Sequence, residues 1–261
     1  MSSVIASHLV FADPERSAGE PEDPDVVISR TAHLLHPTSH GALADHIGDL
    51  RLTAPETISD LPIPPLPLLR SGGPVPADAE RVIDTATAAW SVILRTGDED
   101  SVSAQYAARA AAALLAGPND GVGIDLAIPR IWPRLAPDAD PGRTADWFVL
   151  DRAADEDGRV STTTRGLSRF GVPELRVVDI EAAEVPAWDA VLTGLGHRLV
   201  SAGPAEPPGR VELGLRDIAA GYAEPVDADD PTLRRVTTVE LSYDGDTANV
   251  TGSPVNDLFG G

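Results

Sequence analysis

The stretch at residues 161–180, STTTRGLSRFGVPELRVVDI, constrains the fold more than any other part of the chain. The β-branched run Val160, Thr162, Thr163, Thr164 predicts a strand, because side chains branched at Cβ suit a pleated surface better than a helix. Gly166 and Gly171 permit turns with positive φ, and Pro173 sets the entry to a second strand at Leu175-Arg176-Val177-Val178. Leu167 and Phe170, at helical spacing, are placed to plug a core. Arg165 and Glu174 are the only candidates for chemistry within it.

Two further signals point to antiparallel pairing. Residues 147–151 and 159–164 flank a turn ending in Asp157-Gly158, and residues 236–243 and 247–251 flank Asp244-Gly245. Residues 4–11, 88–95 and 122–128 read as strands, as does the alternation Val211, Leu213, Leu215. Residues 129–141 read as a loop. The strongest helix is the alanine-rich run 104–116, opened by the acids and hydroxyl of 98–101 and stopped by Gly117-Pro118. A second helix spans 186–200, with Trp188, Val191, Leu192, Leu195 and Leu199 on one face. Gly194 and Gly196 each cost it about 1 kcal/mol relative to alanine, so it depends on close contact with a neighbour. A short helix is expected at 78–84, and 26–35 is ambiguous between strand and helix. Residues 61–69, LPIPPLPLL, read as polyproline II or irregular chain lying on the core, since proline lacks a donor and fixes φ.

Hairpins with intervening helices give an α+β class: mainly antiparallel sheet with two or three packed helices. The expected partition is an irregular N-terminal segment at 1–76 with a first strand, an α+β core at 77–252, and a tail at 253–261. The tail frays unless Leu258-Phe259 docks. A split near 130–145 stays open, because both halves hold strands that could share one sheet.

Composition excludes much chemistry. Cysteine is absent, which removes disulfides, thiolate nucleophiles and cysteine-based metal sites. Lysine is absent too, so all 20 basic residues are arginine and there is no Schiff-base or P-loop lysine. The 41 acidic residues leave a formal charge of −21, a field that repels nucleic acid and anionic lipid and favours a basic partner. High-GC coding bias and adaptation to salt also give such a charge. No apolar run reaches about 18 residues, so no membrane span is expected. The N-terminus reads as a strand and not a signal peptide, which makes the cytoplasm the expected compartment. No cofactor is expected.

Among candidate constellations, His33, His36, His40 and His46 lie within fourteen residues, with Asp45 beside the last. Imidazole is a common metal ligand, but the spacing matches no zincin helix and Pro37 interrupts a shared face. Asp151, Asp155 and Asp157 evoke a calcium loop that fails at Ala153 and Thr164. The hydroxyls of residues 162–164 with Arg165 and Gly166 form a possible anion cradle. His8 and His197 cannot be joined to any serine from sequence.

The element Thr164-Arg165-Gly166-Leu167-x-x-Phe170-Gly171-x-Pro173-Glu174-Leu175 resembles one found in a group of uncharacterised bacterial proteins. In that group it follows a hairpin and precedes a helix similar to 186–200, and the resemblance covers roughly residues 85–215. It implies an α+β fold and brings neither an activity nor catalytic residues.

The functional expectation is an acidic binding or regulatory module, immunity-like and without catalysis, that takes a basic protein partner. One alternative is a metal-dependent or anion-binding enzyme using the His33–His46 cluster or the Arg165/Glu174 region. The other is a structural subunit of a larger assembly.

Overall fold

The computed structural model describes residues 3–13, 22–53, 60–73, 75–96, 101–117, 121–132, 135–203, 209–227 and 229–260. The chain divides into two units, Met1–Pro141 and Gly142–Gly261, each built on its own sheet. Strands of the two halves do not share one sheet. The α+β class holds, but it comprises two sheets, one of them mixed, and eight α-helices among the described residues. The expectation of two or three helices was therefore too low.

In the first unit, β1 (Ser3–Phe11), β2 (Leu50–Thr53), β3 (Ala89–Thr96), β4 (Val122–Asp125) and β5 (Arg130–Ile131) form an antiparallel sheet in the order β2-β3-β1-β4-β5. β1 lies centrally because it is apolar on both faces: Leu9 and Phe11 turn one way, Ala6 and Val10 the other. It pairs with β3 across residue 76, so the segment before 77 is an integral part of this unit. That segment is not irregular either. It contains α1 (Pro24–Thr31), which settles the 26–35 ambiguity, and α2 (Pro37–His46). Both begin with proline in the first turn, where no amide hydrogen is needed.

The same rule corrects the reading of 61–69. α3 (Leu66–Ser71) starts within it, with Pro67 in its first turn, and buries Leu69. α3 and α4 (Ala79–Thr85) cover one face of the sheet through Leu69, Ala79 and Val82. α5 (Ser101–Ala116) covers the other with α1 and α2, and its alanines let it lie close to β1 and β3. The acidic start proposed at 98–100 and Pro118 fall outside the described residues. Residues 122–128 shorten to β4 followed by a turn, and the loop 129–141 contains β5.

In the second unit, β6 (Val149–Ala154), β7 (Val160–Arg165), β8 (Glu174–Ile180), β9 (Arg210–Gly214), β10 (Val236–Asp244) and β11 (Thr247–Thr251) order as β6-β7-β8-β11-β10-β9. Both predicted hairpins form, and β8 lies parallel to β11. α6 (Val185–Ala202) buries the predicted face and contacts β8, β9 and α7 (Leu215–Gly221). Gly194 of α6 lies against the backbone of Ile218, which accounts for a glycine inside this helix. The tail is not frayed: residues 254–259 form α8 (Pro254–Phe259). Leu258 is buried, and Asp257 accepts the Thr237 hydroxyl at 2.6 Å.

Candidate binding surface

Glu174, the first residue of β8, anchors the 161–180 stretch. Its Oε1 accepts hydrogen bonds from the N–H groups of Gly166 (2.8 Å) and Ser168 (3.0 Å). Its Oε2 accepts from the Leu167 N–H (3.2 Å) and the Thr164 hydroxyl (2.8 Å). Thr164 Oγ1 in turn accepts the Leu175 N–H at 2.7 Å. These amides open the short 3-10 helix Leu167–Phe170, where unpaired donors attract negative charge. Gly166 (φ 128) and Gly171 (φ 72) bracket that helix. Leu167 and Phe170 are buried, the latter edge-on to Trp147 at 5.4 Å. Of the residues read as an anion cradle at 162–166, the Thr164 hydroxyl and the Gly166 N–H serve the protein's own Glu174 carboxylate. Arg165 is spent on Asp151 (2.8 Å), one strand away.

The histidines do not converge. His33 Nδ1 lies 3.1 Å from the Arg30 carbonyl, while His36 caps α2 by accepting the Thr38 N–H at 3.3 Å. His40 is exposed, and His46 is buried at the far end of α2, 3.8 Å from Asp49. Pro37 leaves the α2 face intact but puts His36 outside the helix. Among the described residues, no three His, Cys, Asp or Glu side chains form a group able to hold a metal ion. In the second unit, His197 Nδ1 sits 3.0 Å from Thr144 Oγ1 and Nε2 3.4 Å from Ser201 Oγ.

A polar cluster that sequence reasoning missed lies between the first sheet and α5. His8, Gln105, Arg109, Asp125, Arg130 and Trp132 are all buried there. His8 and Asp125 are register partners on β1 and β4, and Arg130 approaches Asp125 at 3.9 Å. The guanidinium carbons of Arg109 and Arg130 each lie 4.5 Å from the Trp132 ring centroid. Fully enclosed, this cluster fixes the β4–β5 end of the sheet to α5. The signals were the polar residues at core positions: His8 between Ala6 and Val10, and Arg109 inside an alanine run.

An open polar surface belongs to the second sheet. Its helix-free face carries a direct cross-strand row, Asp151–Thr163–Arg176–Asn249–Ser242, over five adjacent strands. A shallow groove of about 320 Å³ runs over this row. Among the described residues Arg176 has no ion-pair partner. At one end of the sheet, the β6–β7 turn and the end of β8 bring five exposed acids together: Asp155, Glu156, Asp157, Asp179 and Glu181. Among the described residues Arg159 alone pairs with them, 3.4 Å from Asp179 and 3.5 Å from Glu181. Asp155 Oδ1 caps the turn by accepting the N–H groups of Asp157 (3.0 Å) and Arg159 (2.8 Å), which is the structural role of the supposed calcium loop.

No protein-family model, curated protein or solved structure matches this chain. None of its helices is long and apolar enough to cross a membrane among the described residues.

Proposed function

We propose that the protein is an acidic binding module, regulatory or immunity-like in its action, that holds a basic protein partner without catalysing a reaction. The observation that carries this reading is the acidic end of the second unit, where five exposed carboxylates face one arginine. With a formal charge of −21 behind it, such an end steers a cationic partner and speeds encounter. The enzyme alternatives lose support because Glu174 and Arg165 are engaged within the fold and the four histidines lie apart. The proposed compartment is the cytoplasm.

Affinity purification from native lysate, followed by mass spectrometry at low salt and at about 0.5 M salt, tests the reading, because screening at the higher value acts over a few ångströms. One basic protein recovered stoichiometrically at low salt and diminished at high salt supports it. Recovery of a small molecule, a metal ion or only further copies of the chain counts against it.

A further inference from the structure

The edge of the second sheet beside the acidic end has a property of its own. β6 pairs only with β7, in unbroken register from Val149–Arg165 to Ala154–Val160. Its residues Asp151, Arg152, Ala153 and Ala154 are all exposed, and the strand is open along its edge and on the groove face, while on the other face Arg152 pairs with Asp189 of α6. Natural edge strands are usually blunted by proline, a bulge, brevity or charge; β6 has six residues with no proline and no bulge, and its two charges, Asp151 and Arg152, are paired with Arg165 and Asp189. The Asp155 N–H donates to the Arg159 carbonyl at 2.9 Å, which sets the alternation of the ladder. Counting back, Ala153, Asp151 and Val149 bond to β7. Leu150, Arg152 and Ala154 direct their N–H and C=O groups outward, where no described residue meets them.

We propose that β6 is an acceptor edge to which an extended basic segment of the partner adds as a seventh strand. Main-chain hydrogen bonds would hold the segment, and its alternate side chains would lie over the groove face. Charge decides the occupant. A second copy pairing antiparallel across a two-fold axis would set Asp151 opposite Asp151 or Arg152 opposite Arg152 at the two central registers, and like charges directly opposed are unfavourable. Two chains of −21 also repel. A basic strand instead meets Glu156 and Asp157 beyond the end of β6, since Asp151 already pairs with Arg165. This inference rests on the basic-partner reading above and adds where and how the partner binds.

The test uses the full chain and two synthetic peptides of equal charge. One alternates lysine and valine over eight residues, and the other has proline at alternate positions and cannot join a sheet. Hydrogen exchange is followed at the amides of Leu150, Arg152 and Ala154, with affinity measured in parallel. The lysine–valine peptide should slow exchange at these three amides at least about tenfold and bind more tightly than its proline counterpart. Ala154→Pro removes one outward donor and leaves the β7 ladder whole, so it should lower that affinity about tenfold while the unfolding midpoint stays near wild type. Equal binding of both peptides with unchanged exchange would overturn strand addition and leave the acidic-module reading standing. Binding of neither at low salt would count against the basic-partner reading, and the acceptor edge would fall with it.

Discussion

The Glu174 carboxylate and the Gly166 N–H meet at 2.8 Å, and this contact ties the start of β8 to the turn that leaves β7. The same carboxylate holds three more donors, so the 161–180 stretch is closed by one internal anion. Glu174→Ala leaves all four without their acceptor. It should destabilise the second unit by about 3 kcal/mol, with Glu174→Gln costing about half as much because it keeps an acceptor oxygen. Urea unfolding followed by tryptophan fluorescence reads the difference. Near-wild-type stability of Glu174→Ala would mean that the staple is incidental.

Two glycines in α6 give opposite expectations from one substitution. A Cβ on Gly194 would lie 2.9 Å from the backbone nitrogen and Cα of Ile218, atoms that cannot yield without moving α7. Helix propensity favours alanine by about 1 kcal/mol, but overcrowding costs about 1–3 kcal/mol, so Gly194→Ala should be neutral to destabilising. A Cβ on Gly196 would meet the methyl ends of Leu167 at 3.3 Å and the Phe148 ring at 3.8 Å, side-chain atoms that can yield. Gly196→Ala should be the more stable variant of the pair, and thermal melting of both checks the order.

How much of this was legible varied with the kind of signal. The two Asp-Gly hairpins, the apolar face of α6 and the motif glycines were readable because each depends on local chemistry. The division into two sheets was not, since strand partners such as Ser3–Phe11 and Ala89–Thr96 are set by tertiary pairing and not by any residue pattern. Helices α2 and α3 were hidden by prolines that look like breakers yet sit in first turns. Glu174 stood out in the sequence as a candidate for chemistry, whereas in the fold it is engaged by four internal donors. Its role as an internal cap needed the positions of three amides that lie six to eight residues away. The acidic end escaped notice because its residues come from two separate segments.

His36 offers a prediction that separates capping from metal binding. Its ring accepts the Thr38 N–H at 3.3 Å, a long bond from a residue type seldom used at this position. His36→Asn should stabilise the first unit by about 0.5–1 kcal/mol, because a short amide side chain caps better. Zinc affinity, measured by competition with a chromophoric chelator, should be the same for wild type and variant. A loss of zinc binding in the variant would revive the ligand reading.

Alkaline pH should weaken the first unit through Tyr106. Burial pushes the Tyr106 phenol above its ordinary value of 10.0, nearby Asp140 adds to the shift, and Arg109 opposes it. Below pH 10 both folded and unfolded chains keep the proton and the contribution is fully present. As pH rises beyond that, the unfolded chain ionises first, so stability falls until the folded phenol titrates. Tyr106→Phe should flatten the decline in urea midpoint between about pH 8 and about pH 11.

In the proposed function, exposed carboxylates at the acidic end draw in a basic partner. The most direct test is the affinity of that purified partner for wild type and for the combined variant Glu156→Gln, Asp157→Asn, Glu181→Gln, across about 0.05–0.5 M salt. All three side chains are exposed, and Asp155, which caps the turn, is left in place. Wild-type affinity should fall at least about tenfold over this range, the variant should bind more weakly at low salt, and the two should converge at high salt. Equal affinities that do not change with salt would contradict it.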